Sequence, residues 1–155
     1  MKQRFIYVFL FFGMLFVSCS ADKNYKEFMV NSWQTTYLKI EMPTYQKSDS
    51  LNVYEDKFEN NPELIAQSNY KSDGTFTSWF LNKKGEKISE SNGKWQVKED
   101  SLFVQFFYNG RDMKVSYHIK ETDEGFIAKS KYDWDEDGDF DDILTMKTKK
   151  IKLDN

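Results

Sequence analysis

Cysteine and histidine are scarce in this chain of 155 residues, and each occurs once. The single cysteine, Cys19, leaves the protein with no intramolecular disulfide. The single histidine, His118, falls on the polar side of a predicted strand beside Lys120, and any Ser-His-Asp or Cys-His arrangement would have to use it. A zinc site with one histidine would need carboxylates for its other ligands. We therefore predict that the protein is not an enzyme.

The chain also lacks a glycine-rich segment and an excess of positive charge. Apart from Gly13, its 7 glycines fall in predicted turns and strands, and there is no phosphate-binding loop and no Gly-x-Ser-x-Gly elbow. It has 22 basic against 25 acidic residues, and both signs are interspersed along the sequence. Because nucleic acid requires a clustered basic face, this pattern argues against a nucleic-acid partner.

The longest apolar run lies at the N-terminus. It covers residues 5–17, follows Lys2 and Arg4, and ends at Ser18 and Cys19. A membrane-spanning helix needs roughly 20 apolar residues, so this shorter run is typical of a secretory signal instead. Residues 16–19 resemble a bacterial lipobox, in which the cysteine is acylated and becomes the new N-terminus.

These features predict the cellular location of the protein. We expect residues 1–18 to be a lipoprotein signal peptide, Cys19 to carry lipid such as palmitate, and residues 19–26 to be a polar tether. The protein would then be a lipid-anchored component of the cell envelope, on the outer membrane. The alternatives are an ordinary secreted protein with a free thiol, or an N-terminal helix that stays uncleaved.

The remaining residues are enough for one domain, which we place at 27–155. Loss of Lys2 and Arg4 with the signal leaves it mildly acidic. Aromatic residues make up 17% of the chain, and most of them lie beyond the signal. Because aromatics bury large areas, this content suits either a packed core or an aromatic-lined cavity.

Regularly spaced turns divide this domain into short alternating segments. The strongest turn is Asn109-Gly110, since both positions of a two-residue hairpin turn require positive φ. Consecutive hairpins predict an all-β fold, an antiparallel up-and-down eight-stranded barrel. The predicted strands are 32–42, 64–71, 75–81, 87–97, 101–108, 113–120, 126–134 and 143–152.

Residues 43–62 are too long for a hairpin loop, and we expect them to act as a partial lid. The sequence leaves open whether they contain a short strand at 51–53 or a helical turn near 54–58. The face of segment 75–81 is also open. Its inward stripe is either Phe76, Ser78 and Phe80, or the residues alternating with them, which include Trp79.

Three short motifs carry a family resemblance. They are Ser72-Asp73-Gly74-Thr75-Phe76, then Gly93-Lys94-Trp95, then Asp100-Ser101-Leu102. In this order, within a hairpin meander, they are similar to the lipocalin-like domains of bacterial envelope lipoproteins. The resemblance implies a barrel that binds a small hydrophobic molecule in its cup.

We expect the cup to bind a small hydrophobic or amphipathic ligand through wall aromatics, without catalysis. The predicted ligand-binding residues are Trp79, Phe106, Tyr117, Tyr132 and Trp134. The alternative is a structural module of the envelope with a filled barrel, in which Phe103 and Phe107 dock a partner protein. A cavity larger than roughly 300 Å³ would favour the cup.

An acidic run at residues 133–142 suggests a calcium loop. Asp133, Asp135, Asp137 and Gly138 match the start of an EF-hand-type loop, and Asp141 falls at its ninth position. The twelfth position, where a bidentate Glu is expected, is Leu144. The run therefore predicts either a weak Ca²⁺ site at Asp133, Asp135, Asp137 and Asp141 or a solvated turn built on Asp137-Gly138.

Overall fold

A computed structural model describes residues 24–59, 62–108 and 110–153 of the protein. These residues contain one α-helix, nine β-strands and a 3-10 turn at Tyr45–Lys47. The elements are α1 (Tyr25–Met29), β1 (Ser32–Met42), β2 (Asn52–Asp56), β3 (Leu64–Tyr70), β4 (Thr75–Asn82), β5 (Lys87–Lys98), β6 (Ser101–Tyr108), β7 (Arg111–Glu121), β8 (Phe126–Tyr132) and β9 (Asp142–Ile151).

Eight of the strands form a closed antiparallel barrel. From β3 to β9 each strand pairs with the next, β1 pairs with β3 through Ser32–Gln34, and β9 closes onto β1 along Ser32–Glu41. The register between β1 and β9 shifts between Thr35 and Tyr37, where β1 bulges. The all-β, up-and-down eight-stranded barrel predicted from the sequence is confirmed, and it is consistent with a lipocalin-like fold.

Residues 43–62, whose structure the sequence left open, contain the ninth strand, β2. It pairs with Leu38–Met42 of β1, on the edge that β3 leaves uncovered. Four of its five residues are exposed, which is why its sequence lacks a clear apolar stripe. The segment therefore holds a short strand that begins one residue later than the predicted 51–53 and extends to Asp56, where the alternative was a helical turn.

Alternation along the strands separates core from surface. In β7, Met113, Val115 and Ile119 are buried, while Lys114, Ser116, His118 and Lys120 on the other face are exposed. In β8, Phe126 and Ala128 are likewise buried, while Lys129 and Lys131 on the other face are exposed. In β4, the inward stripe is the one that begins at Phe76, since the Phe76 ring stacks on that of Tyr70 with 5.4 Å between centroids.

One end of the barrel is solid. Its core is the buried cluster of Met29, Trp33, Tyr70, Phe76, Trp95, Leu102, Val104, Ile119, Phe126 and Ala128. Helix α1 closes this end, and the indole N–H of Trp33 donates to the carbonyl oxygen of Met29 at 3.2 Å. Trp33 meets Phe126 edge-to-face with 5.0 Å between ring centroids. The barrel interior can therefore be open only at the other end.

Gly93 explains the Gly93-Lys94-Trp95 motif in physical terms. A Cβ at this position would overlap the carbonyl oxygen of Gln105 and the ring of Phe76. Its absence lets Phe76 meet Phe106 edge-to-face at 5.7 Å. The indole N–H of Trp95 then donates to the carbonyl oxygen of Lys71 at 3.0 Å, which ties β5 to the β3–β4 turn.

Several predictions concern residues outside the described ranges. The signal peptide at 1–18, Cys19, the first part of the tether and Asn109 all fall there. Of the predicted tether, residues 24–26 are described. Asn24 caps α1 by accepting from the backbone N–H of Glu27, and Tyr25 packs against the core. In the described part of the chain, no helix has the length and apolarity to cross a bilayer.

Candidate ligand-binding cup

A cavity of about 630 Å³ occupies the end of the barrel opposite α1. We call this cavity the cup. Its apolar lining consists of Leu38, Tyr54, Phe58, Pro62, Leu64, Ala66, Trp79, Phe80, Phe106, Tyr108, Tyr117, Trp134, Leu144 and Met146. The volume lies within the usual range for small-molecule sites, roughly 300–1,000 Å³. The barrel is therefore filled at one end and hollow at the other.

Four of the five predicted ligand-binding aromatics line the cup. Phe106 and Tyr117 face it from β6 and β7, and Trp134 stands at its rim just after β8. Trp79 is the fourth. The structure thus gathers these side chains around one volume, while their role in binding a ligand stays a prediction.

Trp79 differs from the other three. It alternates with Ser78 and Phe80 in β4, so it belongs to the opposite stripe from Phe76. Its indole N–H donates to Oε1 of Gln67 at 3.1 Å, and Lys87 Nζ lies 4.1 Å from its ring centroid. Trp79 is 3% exposed, and its indole N–H, already paired with Gln67, is not free to bind a ligand.

Tyr132 is not part of the lining. Its ring packs against Trp134 at 5.2 Å and against Phe140 at 5.5 Å, measured between centroids. Its hydroxyl donates to Sδ of Met113 at 3.8 Å. Tyr132 therefore packs beside the lining residue Trp134 without itself lining the cup.

Sequence reasoning missed several lining residues. Leu144 and Met146 come from β9, where alternation with lysine-rich outward positions is a readable signal. Phe80 belonged to one of the two stripes that the sequence left open. Tyr54 had no signal, because β2 lacks an apolar stripe.

Charged groups near the cup are acidic. Asp56, Glu59 and Glu63 belong to its lining, and no basic residue does in the part of the chain that the structure describes. Glu63 is paired with Lys83 outside the lining, whereas Asp56 accepts from the backbone N–H of Phe58 at 2.7 Å. The mouth of the cup thus carries negative charge.

Two buried polar atoms on or just after β8 have no hydrogen-bond partner among the described residues. They are Nε1 of Trp134, which lines the cup, and Oγ of Ser130, which shares an inward stripe with Ala128. Unpaired buried donors are costly, about 1–3 kcal/mol each, and are uncommon in folded proteins. The Trp134 indole N–H is therefore a donor without an acceptor in the part of the protein that the structure describes.

Tyr117 is neutral in the cup. Burial raises the pKa of its hydroxyl well above the ordinary value, and burial does the same to the pKa of Tyr70 in the core below. Because both phenols keep their protons across physiological pH, the deep wall of the cup carries no charge from them.

The acidic loop between β8 and β9 gathers a different set of carboxylates from the predicted one. Asp133, Asp135 and Asp142 each offer an oxygen, and these atoms lie within 4.8 Å of one another. Asp142 is buried, and its Oδ2 accepts from the backbone N–H groups of Trp134 and Asp135 at 2.6 and 3.1 Å.

The other two predicted ligands, Asp137 and Asp141, accept hydrogen bonds from the acidic loop itself and from the β1–β2 loop. Oδ1 of Asp137 accepts from the backbone N–H of Asp139 at 2.8 Å, as expected for a turn around Gly138. Asp141 accepts from the hydroxyl of Thr44, which lies in the β1–β2 loop, at 3.3 Å. Calcium binding by the four predicted aspartates stays a prediction.

His118 lies away from the cup. It is exposed on β7, and its Nδ1 is 3.3 Å from Oδ2 of Asp100.

Comparison of the chain with protein-family models, with curated proteins and with solved structures found no match. The class of the protein therefore rests on its fold and site, which define a closed eight-stranded antiparallel barrel with a cup at one end.

Proposed function

We propose that the protein binds a small hydrophobic or amphipathic molecule in the cup, without catalysis, while lipid on Cys19 holds it to the cell envelope. The observation that carries this proposal is the cavity of about 630 Å³ with its largely apolar lining. A filled barrel would have favoured the docking module instead. Burial of the ligand supplies the free energy, at about 25 cal/mol per Å² of apolar surface before the costs of ordering.

The polar groups around the cup narrow the class of ligand. The indole N–H of Trp134 lacks a protein acceptor among the described residues, so it suits an oxygen on the ligand. Asp56 and Glu59 stand at the mouth, and no described residue of the lining is a lysine. A carboxylate headgroup would meet negative charge there, so we propose a neutral or cationic amphiphile.

The anchor is proposed on the sequence alone. The apolar run at residues 5–17 and the position of Cys19 support it. Labelling cells with a radioactive or alkyne-bearing fatty acid tests it, since label on the wild-type chain should disappear in Cys19→Ser. Equal labelling of the two chains would contradict the anchor and leave the cup untouched.

Native mass spectrometry of the protein purified from its own cells tests the cup. We expect a co-purified molecule of a few hundred daltons that is released by organic solvent and is neutral or cationic. The Ala66→Trp variant, which places a large ring in the lining, should lose this molecule. A protein that carries no such adduct, and that takes up none from a lipid extract of the same cells, would contradict the proposed function.

A further inference from the structure

The outer side of strands β7–β9 carries lysines that the cup does not use. We call them the lysine wall, and its members are Lys114, Lys120, Lys129, Lys131, Lys147 and Lys149. All six are exposed, and they alternate along the strands with side chains that point into the barrel. Positive charges that are interspersed with negative ones in the sequence are thus brought together on one side of the barrel.

Carboxylates are nearly missing from this surface. At the outward positions of β7–β9 the only acidic residue is Asp112. None of the six lysines forms a salt bridge with another described residue. Lys147 instead lies over the ring of Tyr37, with Nζ 5.1 Å from its centroid. A protein with a formal net charge of −3 thus keeps one positive face.

The register brings these cations close together. Lys120 lies opposite Ile127, which lies opposite Lys147, so one strand separates the two lysines. Neighbouring strands are about 4.8 Å apart, which puts the backbones of these two lysines roughly 10 Å apart. This spacing is comparable to the screening length of about 8 Å at physiological salt, so the lysines act together on an extended anionic surface.

Exposed apolar side chains flank the lysine wall. Phe107 on β6 is 60% exposed, Phe103 is 38% exposed, and Ile143 on β9 is 43% exposed. All three point outward, away from the core. Apolar groups among lysines are typical of surfaces that rest in the headgroup region of an anionic bilayer.

We propose that the lysine wall lies against the anionic headgroups of a lipid bilayer. The path of the chain favours this occupant over other anions. Asn24 lines the same cleft as Lys150, so the N-terminal end of the described chain emerges beside β9. Only residues 20–23 separate Asn24 from Cys19, a reach of roughly 17 Å when extended. The choice of a bilayer rests on the proposed anchor.

Vesicle co-sedimentation of a chain that starts at Asn24 tests the wall without the anchor. Residues 24–153 contain the whole closed barrel and the helix that plugs it, so this segment is the folded unit. The vesicles are phosphatidylcholine alone, or phosphatidylcholine with phosphatidylglycerol. The wall variant is Lys129→Glu/Lys131→Glu/Lys147→Glu. The matched control, Lys57→Glu/Lys71→Glu/Lys84→Glu, changes the net charge equally at exposed positions elsewhere.

We expect binding to the anionic vesicles only, and its loss at high salt. Each lysine near the surface is worth about fivefold in affinity, so the wall variant should bind about a hundredfold more weakly or worse. The control should stay within about threefold, and circular dichroism should show both variants folded.

Three results would overturn the proposal. The first is no binding to anionic vesicles at low salt. The second is equal weakening in the wall variant and the control, which would make net charge the cause. The third is retention on a heparin column with no binding to vesicles, which would assign the wall to a soluble polyanion. Labelling at Cys19 is measured separately, so the anchor and the wall can fail independently.

Discussion

The backbone N–H of Gln46 donates to Oδ2 of Asp135 at 3.1 Å, across two loops that are far apart in the sequence. The next residue, Lys47, donates from its backbone to Oδ2 of Asp137 at 3.2 Å. Gln46 and Lys47 both have positive φ, 52° and 59°, which costs a non-glycine residue about 1 kcal/mol or more. The two carboxylates offset this strain and fasten the β1–β2 loop to the acidic loop.

Removal of either carboxylate should release the β1–β2 loop. In Asp135→Ala and in Asp137→Ala, we expect amide hydrogen exchange at Gln46 and Lys47 to quicken about tenfold, as loss of a charge-assisted hydrogen bond implies. The control is Asp139→Ala, whose side chain accepts nothing from that loop. Unchanged protection in the first two variants would show that the carboxylates do not hold the loop.

The solid end of the barrel should dominate stability. Phe126 is 1% exposed and packs edge-to-face on Trp33. Phe126→Ala should lower the free energy of unfolding by about 3–5 kcal/mol, because it removes a buried ring from a packed core. Phe107→Ala should change it by no more than about 0.5 kcal/mol, because that ring is exposed. Urea denaturation measures both, and similar losses in the two variants would place the core elsewhere.

The carboxyl group of Asp73 makes the stability of the fold depend on pH in a known direction. A hydrogen bond from the Thr75 hydroxyl, and then one from its backbone N–H, lower the pKa of this carboxyl below its ordinary 3.8. Since the folded pKa is below the unfolded one, the stabilisation is complete above pH 3.8 and is lost as pH falls through the lowered value. This residue lies within the β3–β4 turn and belongs to the first motif of the family resemblance.

The melting temperature of Asp73→Ala should therefore lie below that of wild type at pH 7, and the difference should shrink at a second pH well below 3.8. Asp49→Ala, at an exposed loop position, is the control for the loss of a surface carboxylate. A deficit that is equally large at both pH values would mean that the ionised carboxylate does not support the turn.

The calcium site predicted from the acidic run has a direct test. Extracellular sites often bind Ca²⁺ with Kd of about 0.1–1 mM, so 10 mM CaCl₂ should stabilise the fold by about 1.4–2.7 kcal/mol. Asp133→Asn should abolish the shift, while Asp139→Asn should keep it. No shift in melting temperature at this concentration would leave the run as a turn around Gly138.

Alternation made most of the fold predictable. Segments 32–42 and 101–108 are rich in apolar and β-branched residues, and the strands β1 and β6 have those same bounds. Asn52–Asp56 was undecided because β2 pairs at the barrel edge with nearly all its residues exposed. The face of β4 was undecided because aromatics lie on both sides, and only the stacking of Phe76 on Tyr70 selects one.

The cup and the acidic loop were less predictable. The lining depends on which end of the barrel is filled, and that is set by α1 and Trp33, which no single strand pattern reveals. Asp142 replaces Asp141 in the carboxylate cluster because backbone N–H groups of Trp134 and Asp135 draw it inward. The lysine wall needs the register of three strands, since each strand alone shows only ordinary outward lysines.

Titration with Nile red, a neutral dye that brightens in apolar surroundings, tests the cup most directly. We predict saturable binding that is displaced by decanol or decylammonium more readily than by decanoate. Ala66→Trp should weaken binding at least tenfold, while Gln105→Trp, which adds the same ring at an exposed position, should leave it unchanged. Equal binding by these two folded variants would contradict the claim that the hollow end of the barrel holds the ligand.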